Sequence, residues 1–370
     1  MTKEAGLYVH IPFCVSKCAY CDFPSYPGRL EEMEGYIQRV LREAEEKSQW
    51  GYTVSTLYIG GGTPSLMKQE QAKKLLKGLR RFFSFAENAE CSCECNPGTV
   101  TPAFLAALRE GGVNRLSFGA QARQPRLLSL LGRIHSWEQA EESIRMARAE
   151  GFENLNLDLM LGLPGQTLAD VEETLTAALA LSPTHVSCYG LIVEEGTKME
   201  RMVSQGAWGL PPEDVERDMY ELCRKRLSDQ GFVQYEISNF SLPGMACRHN
   251  VDCWRRKEYI GLGCAACGFT GNRRYRNPPT LEGYFRGDQP EETWLTQEDA
   301  QFESVMLGLR MMEGVSEEAF LRMHGVSLRA VYGEKLKKPL AQGLVELQDG
   351  YLRLTRRGMD VQNAVLVELL

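Results

Sequence analysis

Leu7-Tyr-Val-His-Ile-Pro-Phe-Cys-Val-Ser-Lys-Cys-Ala-Tyr-Cys21 is the stretch on which the fold turns. Its first six residues, Leu7–Pro12, are apolar enough to predict a buried strand, with His10 alternating between Val9 and Ile11 and packed inside it. Directly beyond, Cys14, Cys18 and Cys21 follow a C-x3-C-x2-C spacing on a loop. Three thiolates this close can wrap one face of a metal cluster. Three is one short of the four that close an iron–sulfur cube, which leaves one iron free for a substrate or cofactor. Tetrahedral zinc usually draws a fourth Cys or His, and His10 is the nearest candidate. Structural zinc and buried, unrelated thiols are the alternatives to a cluster.

The chain has 370 residues, 43% hydrophobic and 25% charged, so it can bury a sizeable core in about two to three domain-sized units. That composition excludes a disordered chain. No apolar run approaches the roughly 18 residues of a membrane span, and no basic region followed by an apolar stretch marks a signal peptide. The expected location is therefore cytoplasmic. With 42 Lys+Arg against 49 Asp+Glu, the net charge of −7 argues against nucleic-acid binding as the main activity. In a reducing compartment the 12 cysteines serve as ligands, reactive groups or small core residues rather than as disulfides.

Strand-like and helix-like stretches alternate along the first half. Leu7–Pro12 precedes a helix over Leu30–Trp50, Thr56–Gly60 one over Gln69–Phe85, and Ala89–Cys95 one over Thr101–Gly111. Asn114–Gly119 leads to a helical stretch ending near Glu150, Asn154–Met160 precedes Thr167–Leu181, and Thr184–Leu191 is the sixth strand. Such alternation, with interior strands read as apolar on both faces, predicts a parallel sheet and suits a partial barrel. Chemistry in such barrels gathers at the C-terminal ends of the strands, where Cys14, Gly60–Thr63, Glu94, Gln121 and Asp158 fall. Beyond a helix over Pro211–Gln230 lies Tyr235–Asn277, read as irregular and rich in Gly, Cys, His and aromatics. Helices near Thr296–Met312, Ser316–His324 and Leu328–Leu336 then precede two strands, Val345–Gln348 and Tyr351–Thr355, joined by Asp349-Gly350, a hairpin signal. The expected division is a core barrel over 1–208, a barrel-completing irregular segment over 209–290, and a C-terminal α+β, winged-helix-like domain over 291–370.

Further motifs accompany the cysteines: Gly60-Gly61-Gly62-Thr63-Pro64-Ser65, Glu94-Cys95-Asn96-Pro97-Gly98-Thr99, Leu116-Ser117-Phe118-Gly119-Ala120-Gln121, Leu131-Gly132-Arg133-Ile134-His135 and Asn156-Leu157-Asp158. With these, the chain resembles the radical S-adenosylmethionine (SAM) family of oxygen-independent coproporphyrinogen III dehydrogenases, and within it the HemW, or haem chaperone, branch. The resemblance implies a radical SAM partial (βα)6 TIM-like barrel. It implies a [4Fe–4S] cluster on Cys14, Cys18 and Cys21, whose open iron chelates SAM. By motif match Tyr8 and Tyr20 flank SAM, Gly61, Gly62 and Thr63 cradle its methionine end through backbone N–H groups, and Glu94 accepts from the ribose hydroxyls. Gln121, Arg133 and Asp158 match positions that hold a second SAM in the dehydrogenase branch.

Two departures select the branch. The dehydrogenase carries a further Cys two residues after the third ligand, where this chain has Phe23, and a long segment before the first strand, where this chain has six residues before Leu7. The HemW resemblance implies haem as ligand, respiratory-chain haem-accepting proteins as recipients, and peripheral membrane association through those partners. The other reading is a radical SAM enzyme acting on a tetrapyrrole. A His-Asn-x-x-Tyr-Trp motif proposed in the branch to contact haem reads His249-Asn250-Val251-Asp252-Cys253-Trp254 here, making His249 and Cys253 the haem-ligand candidates. Nearby, Cys264 and Cys267 fall in Gly261-Leu-Gly-Cys-Ala-Ala-Cys267, where the branch has a His at the last position. Cys91, Cys93 and Cys95 share one strand face and, with Cys188 and Cys223, read as packed core residues.

Overall fold

In the computed structural model, which describes residues 3–370, six parallel strands form the centre of the molecule. They are β1 (Lys3–Ile11), β2 (Tyr52–Gly61), β3 (Ser84–Cys95), β4 (Arg115–Gln121), β5 (Asn154–Leu161) and β6 (His185–Gly190). Helices return the chain between them: α1 (Met33–Ser48), α2 (Gln69–Phe82), α3 (Pro102–Glu110), α4 (Pro125–Leu131) with α5 (Trp137–Ala149), and α6 (Leu168–Ala180). Thr101, Ser136 and Thr167 start α3, α5 and α6 by accepting the amide three residues on. The helical stretch expected to end near Glu150 is two helices, and the segment between them carries Arg133 and His135.

Residues 235–277, expected to be irregular, carry four short strands that extend the sheet. After α7 (Lys198–Ser204) and α8 (Glu213–Asp229) come β7 (Val233–Gln234) and β8 (Asn239–Ser241), which pair antiparallel beyond β6. Helix α9 (Arg248–Trp254) is followed by β9 (Tyr259–Leu262), which pairs parallel to β1, and by β10 (Cys267–Thr270), β11 (Arg273–Arg276) and β12 (Glu291–Trp294). The twelve strands run in the order β12-β11-β10-β9-β1-β2-β3-β4-β5-β6-β8-β7. Glu43 on α1 pins the turn after β9: its carboxylate accepts from Gly263 N (2.9 Å), Asn277 Nδ2 (2.6 Å) and Tyr284 Oη (2.6 Å), and Lys47 Nζ lies 2.7 Å away.

The strands are not apolar on both faces. Leu7, Val9, Leu57, Ile59, Leu116, Phe118, Leu155 and Leu157 are buried in the main apolar core with the helices. The alternate positions are polar: Thr56, Ser92, Glu94, Arg115, Ser117, Asn156, Asp158, His185 and Ser187, with Tyr8 and Tyr58 among them. Register puts them side by side, Tyr8 against Tyr58, Ser92 against Arg115, Glu94 against Ser117, Ser117 against Asn156, and Asp158 against Ser187. Period two therefore builds a dry outer face and a polar barrel interior. Cys91, Cys93, Cys95 and Cys188 lie on the outer face in the apolar core, and Cys223 joins them there from α8.

The C-terminal part has its own apolar core, built from Val305, Leu309, Phe320, Tyr332, Leu336, Leu352 and Val365 among others. It joins α10 (Gln297–Gly308), α11 (Glu317–His324), α12 (Leu328–Ala341), α13 (Arg356–Asp360) and α14 (Gln362–Leu369) to a three-stranded sheet, ordered β13 (Val315–Ser316), β15 (Tyr351–Leu354), β14 (Val345–Gln348). This is the winged-helix-like α+β arrangement. Among the described residues, no helix is long and apolar enough to cross a membrane.

The outer-face core fixes the barrel, so its truncation is costly. Leu157→Ala, at a fully buried position on β5, is expected to lower stability by about 2–5 kcal/mol. A denaturant titration should show this as a lower midpoint with an unchanged slope.

Candidate functional site

The loop after β1 brings Cys14, Cys18 and Cys21 to the C-terminal end of the barrel. Ala19 N donates to Leu131 O (2.8 Å) and Met199 N to Ala19 O (2.8 Å), which tie the loop to α4 and α7. Thr63 Oγ1 lies 3.6 Å from Cys14 Sγ, and Arg133 Nη1 donates to Cys18 Sγ at 3.6 Å. Asn96 links those two donors: its Nδ2 gives a hydrogen bond to Thr63 Oγ1 (2.8 Å) and its Oδ1 accepts from Arg133 Nη2 (2.8 Å). Two sulfurs are thus addressed by hydrogen-bond donors held in one chain, an arrangement that suits thiolate. Burial pushes the Cys14 and Cys21 thiols up, which metal ligation would have to offset. Among the described residues, no three His, Cys, Asp or Glu side chains converge as ligands of one metal ion. A tetrahedral zinc asks for a fourth protein ligand beside three thiols, whereas a [4Fe–4S] cluster held by three leaves one iron open. His10 is committed elsewhere: its Nε2 donates to Pro24 O (2.9 Å) and its Nδ1 accepts from Tyr8 Oη (2.8 Å).

The Gly-Gly-Thr turn does something other than expected. Gly61 N donates to Glu94 Oε2 (3.0 Å), Gly62 N to Ile11 O (2.8 Å) and Thr63 N to Phe13 O (2.8 Å). The three amides are therefore committed within the protein and are not free to bind a carboxylate. Glycine is needed here for close packing. A Cβ on Gly61 (φ +112°) would lie 2.5 Å from the His10 ring, and one on Gly62 would lie 2.7 Å from Phe13 O and 3.0 Å from Cys14 Sγ.

Glu94 stands at the centre of the inner face, accepting from Tyr58 Oη (2.9 Å) as well as Gly61 N. Burial, followed by the Asp158 charge, pushes its carboxyl up to about 7. Asp158 accepts from Asn156 Nδ2 (2.8 Å) and Ser117 Oγ (3.1 Å), and burial raises its carboxyl too. It is held by Ser117 from β4 and by Asn156 from its own strand. Arg115, 2% exposed, makes no ion pair within 4 Å among the described residues; its charge lowers the Glu94 and Asp158 carboxyls and the His185 and His249 rings.

Gln121 and Arg133 meet around Gly119. Arg133 Nη2 donates to Gly119 O (2.8 Å), and a Cβ on Gly119 would lie 2.9 Å from Gln121 Nε2. Gln121 itself has φ +65°, an unfavourable conformation for a side-chain-bearing residue, at a register shift in β4. Tyr8 stacks on Tyr58 with ring centroids 6.4 Å apart, and Tyr20 packs against the small cluster of Leu131, Met160, Leu163 and Met199. Val15, Cys18, Thr63, Asn96, Arg133 and His135 line one small cleft beside the thiols. A larger surface cleft of about 710 Å³ lies between α6 and α8, lined by residues such as Glu172 and Lys225, and shares no residue with this site.

The haem-ligand candidates do not come to this mouth. His249 lies inside the barrel, its Nδ1 bonded to Thr56 Oγ1 (2.9 Å), its ring stacked on Tyr58 at 5.2 Å, and its amide donating to Glu90 Oε1 (3.1 Å). It is 7% exposed, and burial with the Arg115 charge lowers its pKa to about 4. That is a packed neutral ring on the barrel floor. Cys253 is half-buried on α9, where burial and Asp252 push its thiol up to about 12. Cys247 and Cys264 are buried, and Cys267 is exposed at the start of β10. Asn96, Tyr58, Ser117, Asn156 and His185 were not singled out from the sequence. Their signal was the polar alternation within strands that otherwise look apolar, as in Asn156-Leu-Asp158.

Comparison with known proteins adds the family. The Radical SAM superfamily profile matches residues 8–178, and the HemN C-terminal domain profile matches 295–361. The chain is 36% identical to the heme chaperone HemW of Bacillus subtilis (strain 168), over 97% of each chain. It is 35% identical to the HemW of Escherichia coli (strain K12), over 98% of this chain and 97% of that one. Coproporphyrinogen III oxidase (HemN) from Escherichia coli, described as a radical SAM enzyme, superposes with a TM-score of 0.86 at 23% identity, over 100% of this chain and 90% of that one, a likeness of fold.

Two outcomes are expected from this geometry. The folded Glu94 carboxyl titrates near 7 and the unfolded one near 4.3, so the folded state keeps a proton that the unfolded chain releases in between. Stability therefore falls as pH rises through that window and levels off above it. In metal-free protein, denaturant midpoints at pH 5 and pH 8 should show Glu94→Gln lacking the part of the decline that wild type owes to this group. His249→Ala should lower stability by about 1–3 kcal/mol, through loss of a stacked ring and a buried hydrogen bond, while leaving a haem titration unchanged.

Proposed function

Because the chain belongs to the HemW branch of the radical SAM family, we propose that it carries a [4Fe–4S] cluster on Cys14, Cys18 and Cys21, binds SAM beside it, and serves as a haem chaperone that hands haem to respiratory-chain proteins. The observation that carries this reading is the thiol triad at the C-terminal mouth of a polar barrel, with Thr63 and Arg133 addressing two of its sulfurs. When bound, the cluster would supply an open iron for the amino and carboxylate groups of SAM and an electron for its reductive cleavage.

The chain's own residues would then divide the work. Thr63 and Arg133 stabilise thiolate at Cys14 and Cys18. Glu94, a carboxylate lying among the inner-face side chains, suits the diol of a ribose. With its amides committed, the Gly61–Thr63 turn would meet SAM through carbonyls, a match for an ammonium group rather than a carboxylate. Tyr8 and Tyr20 supply aromatic walls, and Gln121, Arg133 and Asp158 form a second polar group suited to the far end of SAM or to a second molecule of it. The separate apolar core of the C-terminal part supports reading 291–370 as a domain of its own, after a barrel over 1–208 and a completing segment over 209–290. Haem delivery without a membrane span implies that membrane contact comes through the recipient, with the chaperone itself in the cytoplasm.

The competing activity is decarboxylation of coproporphyrinogen III, favoured by the shared fold and opposed by Phe23, which is 58% exposed where the dehydrogenase carries a further Cys. Reductant, SAM and coproporphyrinogen III supplied together are expected to yield no protoporphyrinogen. Anaerobic reconstitution is expected to give about four irons per chain in wild type and an iron-poor protein in Cys18→Ala. Titrated with haem, wild type should shift the Soret band with an end point near one haem per chain. A wild type that holds its iron and gives no such shift would remove the chaperone role and leave the cluster assignment standing.

A further inference from the structure

Beneath Asp158, a line of buried polar side chains runs down the inner face of β5 and β6 to the edge of the C-terminal module. Asn156 Nδ2 donates to Asp158 Oδ1 (2.8 Å) and to Ser117 Oγ (2.7 Å), and Ser117 Oγ donates on to Asp158 Oδ2 (3.1 Å). On the other side of the amide, Asn156 Oδ1 accepts from His185 Nδ1 (2.6 Å) and from Ser187 Oγ (3.2 Å). His185 Nε2 meets Tyr235 Oη at 2.9 Å. His185, Asn156, Ser117 and Ser187 are all at least nine-tenths buried, so water does not compete for these bonds.

The chain has one consistent set of donors. An ionised Asp158 can only accept, so the amide nitrogen of Asn156 faces it and the amide oxygen faces His185. His185 must then carry its proton on Nδ1, and its bare Nε2 accepts the Tyr235 hydroxyl. Burial, with the Arg115 charge, holds this ring neutral, in keeping with a single proton. Beyond the hydroxyl, the backbone of Tyr235 is tied to the C-terminal part: Met312 N donates to Tyr235 O (3.0 Å) and Ile237 N to Arg310 O (3.1 Å). The neighbouring Glu236, fully buried, pairs with Arg310 at 3.2 Å, and the Arg310 guanidinium lies 4.4 Å from the Trp254 ring centroid.

We propose that Tyr235, His185 and Asn156 form a directed hydrogen-bond chain that positions the Asp158 carboxylate toward bound SAM, with the C-terminal module anchoring its far end. The chain acts on SAM through Asp158, so the three are positioning residues. The proposal rests on the reading of Asp158 as a SAM-facing group, and it assigns a reason for the C-terminal module to sit against the barrel floor: it fixes the connection between β7 and β8 from which Tyr235 reaches inward.

The test uses cluster-reconstituted full-length protein and calorimetric SAM titration. Asn156→Leu is expected to weaken SAM binding by about tenfold or more with iron content unchanged, since a carboxylate loses its strongest oriented donor. Tyr235→Phe should weaken binding less, in the same direction. In an Asp158→Ala background, Asn156→Leu is expected to change SAM affinity by less than about twofold, because both substitutions act through one carboxylate. Full additivity, or unchanged affinity in the single variant, would overturn the chain. A second readout needs neither SAM nor the cluster: ¹⁵N-histidine spectra should show His185 as the neutral Nδ1–H tautomer, and an Nε2–H tautomer would overturn the proposal. If wild type with its iron in place binds no SAM, the reading of the site fails, and the histidine spectrum still decides whether the chain exists.

Discussion

Polar side chains placed every second residue along buried parallel strands have no water to turn to, so they must satisfy one another. That requirement organises the barrel interior. Thr56 bonds His249, Tyr58 bonds Glu94, and Ser117 and Asn156 together hold Asp158. Glu94 and Asp158 are therefore aimed by neighbours on the same or the adjacent strand. The outer face does the opposite work: Leu, Val, Phe and the Cys91–Cys93–Cys95 row pack on the helices and keep the strands in register.

Much of this was readable in the chain. Strand–helix alternation gave six βα units with boundaries within a few residues for most elements, because each unit is local and its periodicity is strong. The cysteine loop was readable because its spacing carries chemistry without reference to anything distant. The region 235–277 was not, for a physical reason. Tyr259–Leu262 becomes a strand by pairing parallel to β1, some 250 residues away, and no local pattern encodes that partner. The polar inner face was missed because a window dominated by Leu and Val reads as wholly buried, although Asn156 and Asp158 sit two apart within it.

The site shows where motif and geometry part. Gly61 and Gly62 read as a ligand cradle, and their amides are in fact bound to Glu94 and to the β1 loop, so the glycines serve first to let that loop approach. His249 stands in a motif associated with haem and is packed against Tyr58 on the barrel floor. Asn96, by contrast, carries no titratable group and drew no attention, yet it joins the donors of Cys14 and Cys18. The fold is shared with HemN at a TM-score of 0.86, so fold alone does not separate a dehydrogenase from a chaperone; the distinction rests on local residues such as Phe23 and on the full-length similarity to HemW proteins.

The central claim is that the three thiols and the polar barrel beneath them form one site for a cluster and SAM. Electron paramagnetic resonance of the reduced, reconstituted protein tests it most directly. A [4Fe–4S] signal whose g values shift when SAM is added is expected, and a signal unchanged by saturating SAM would rule out a shared site.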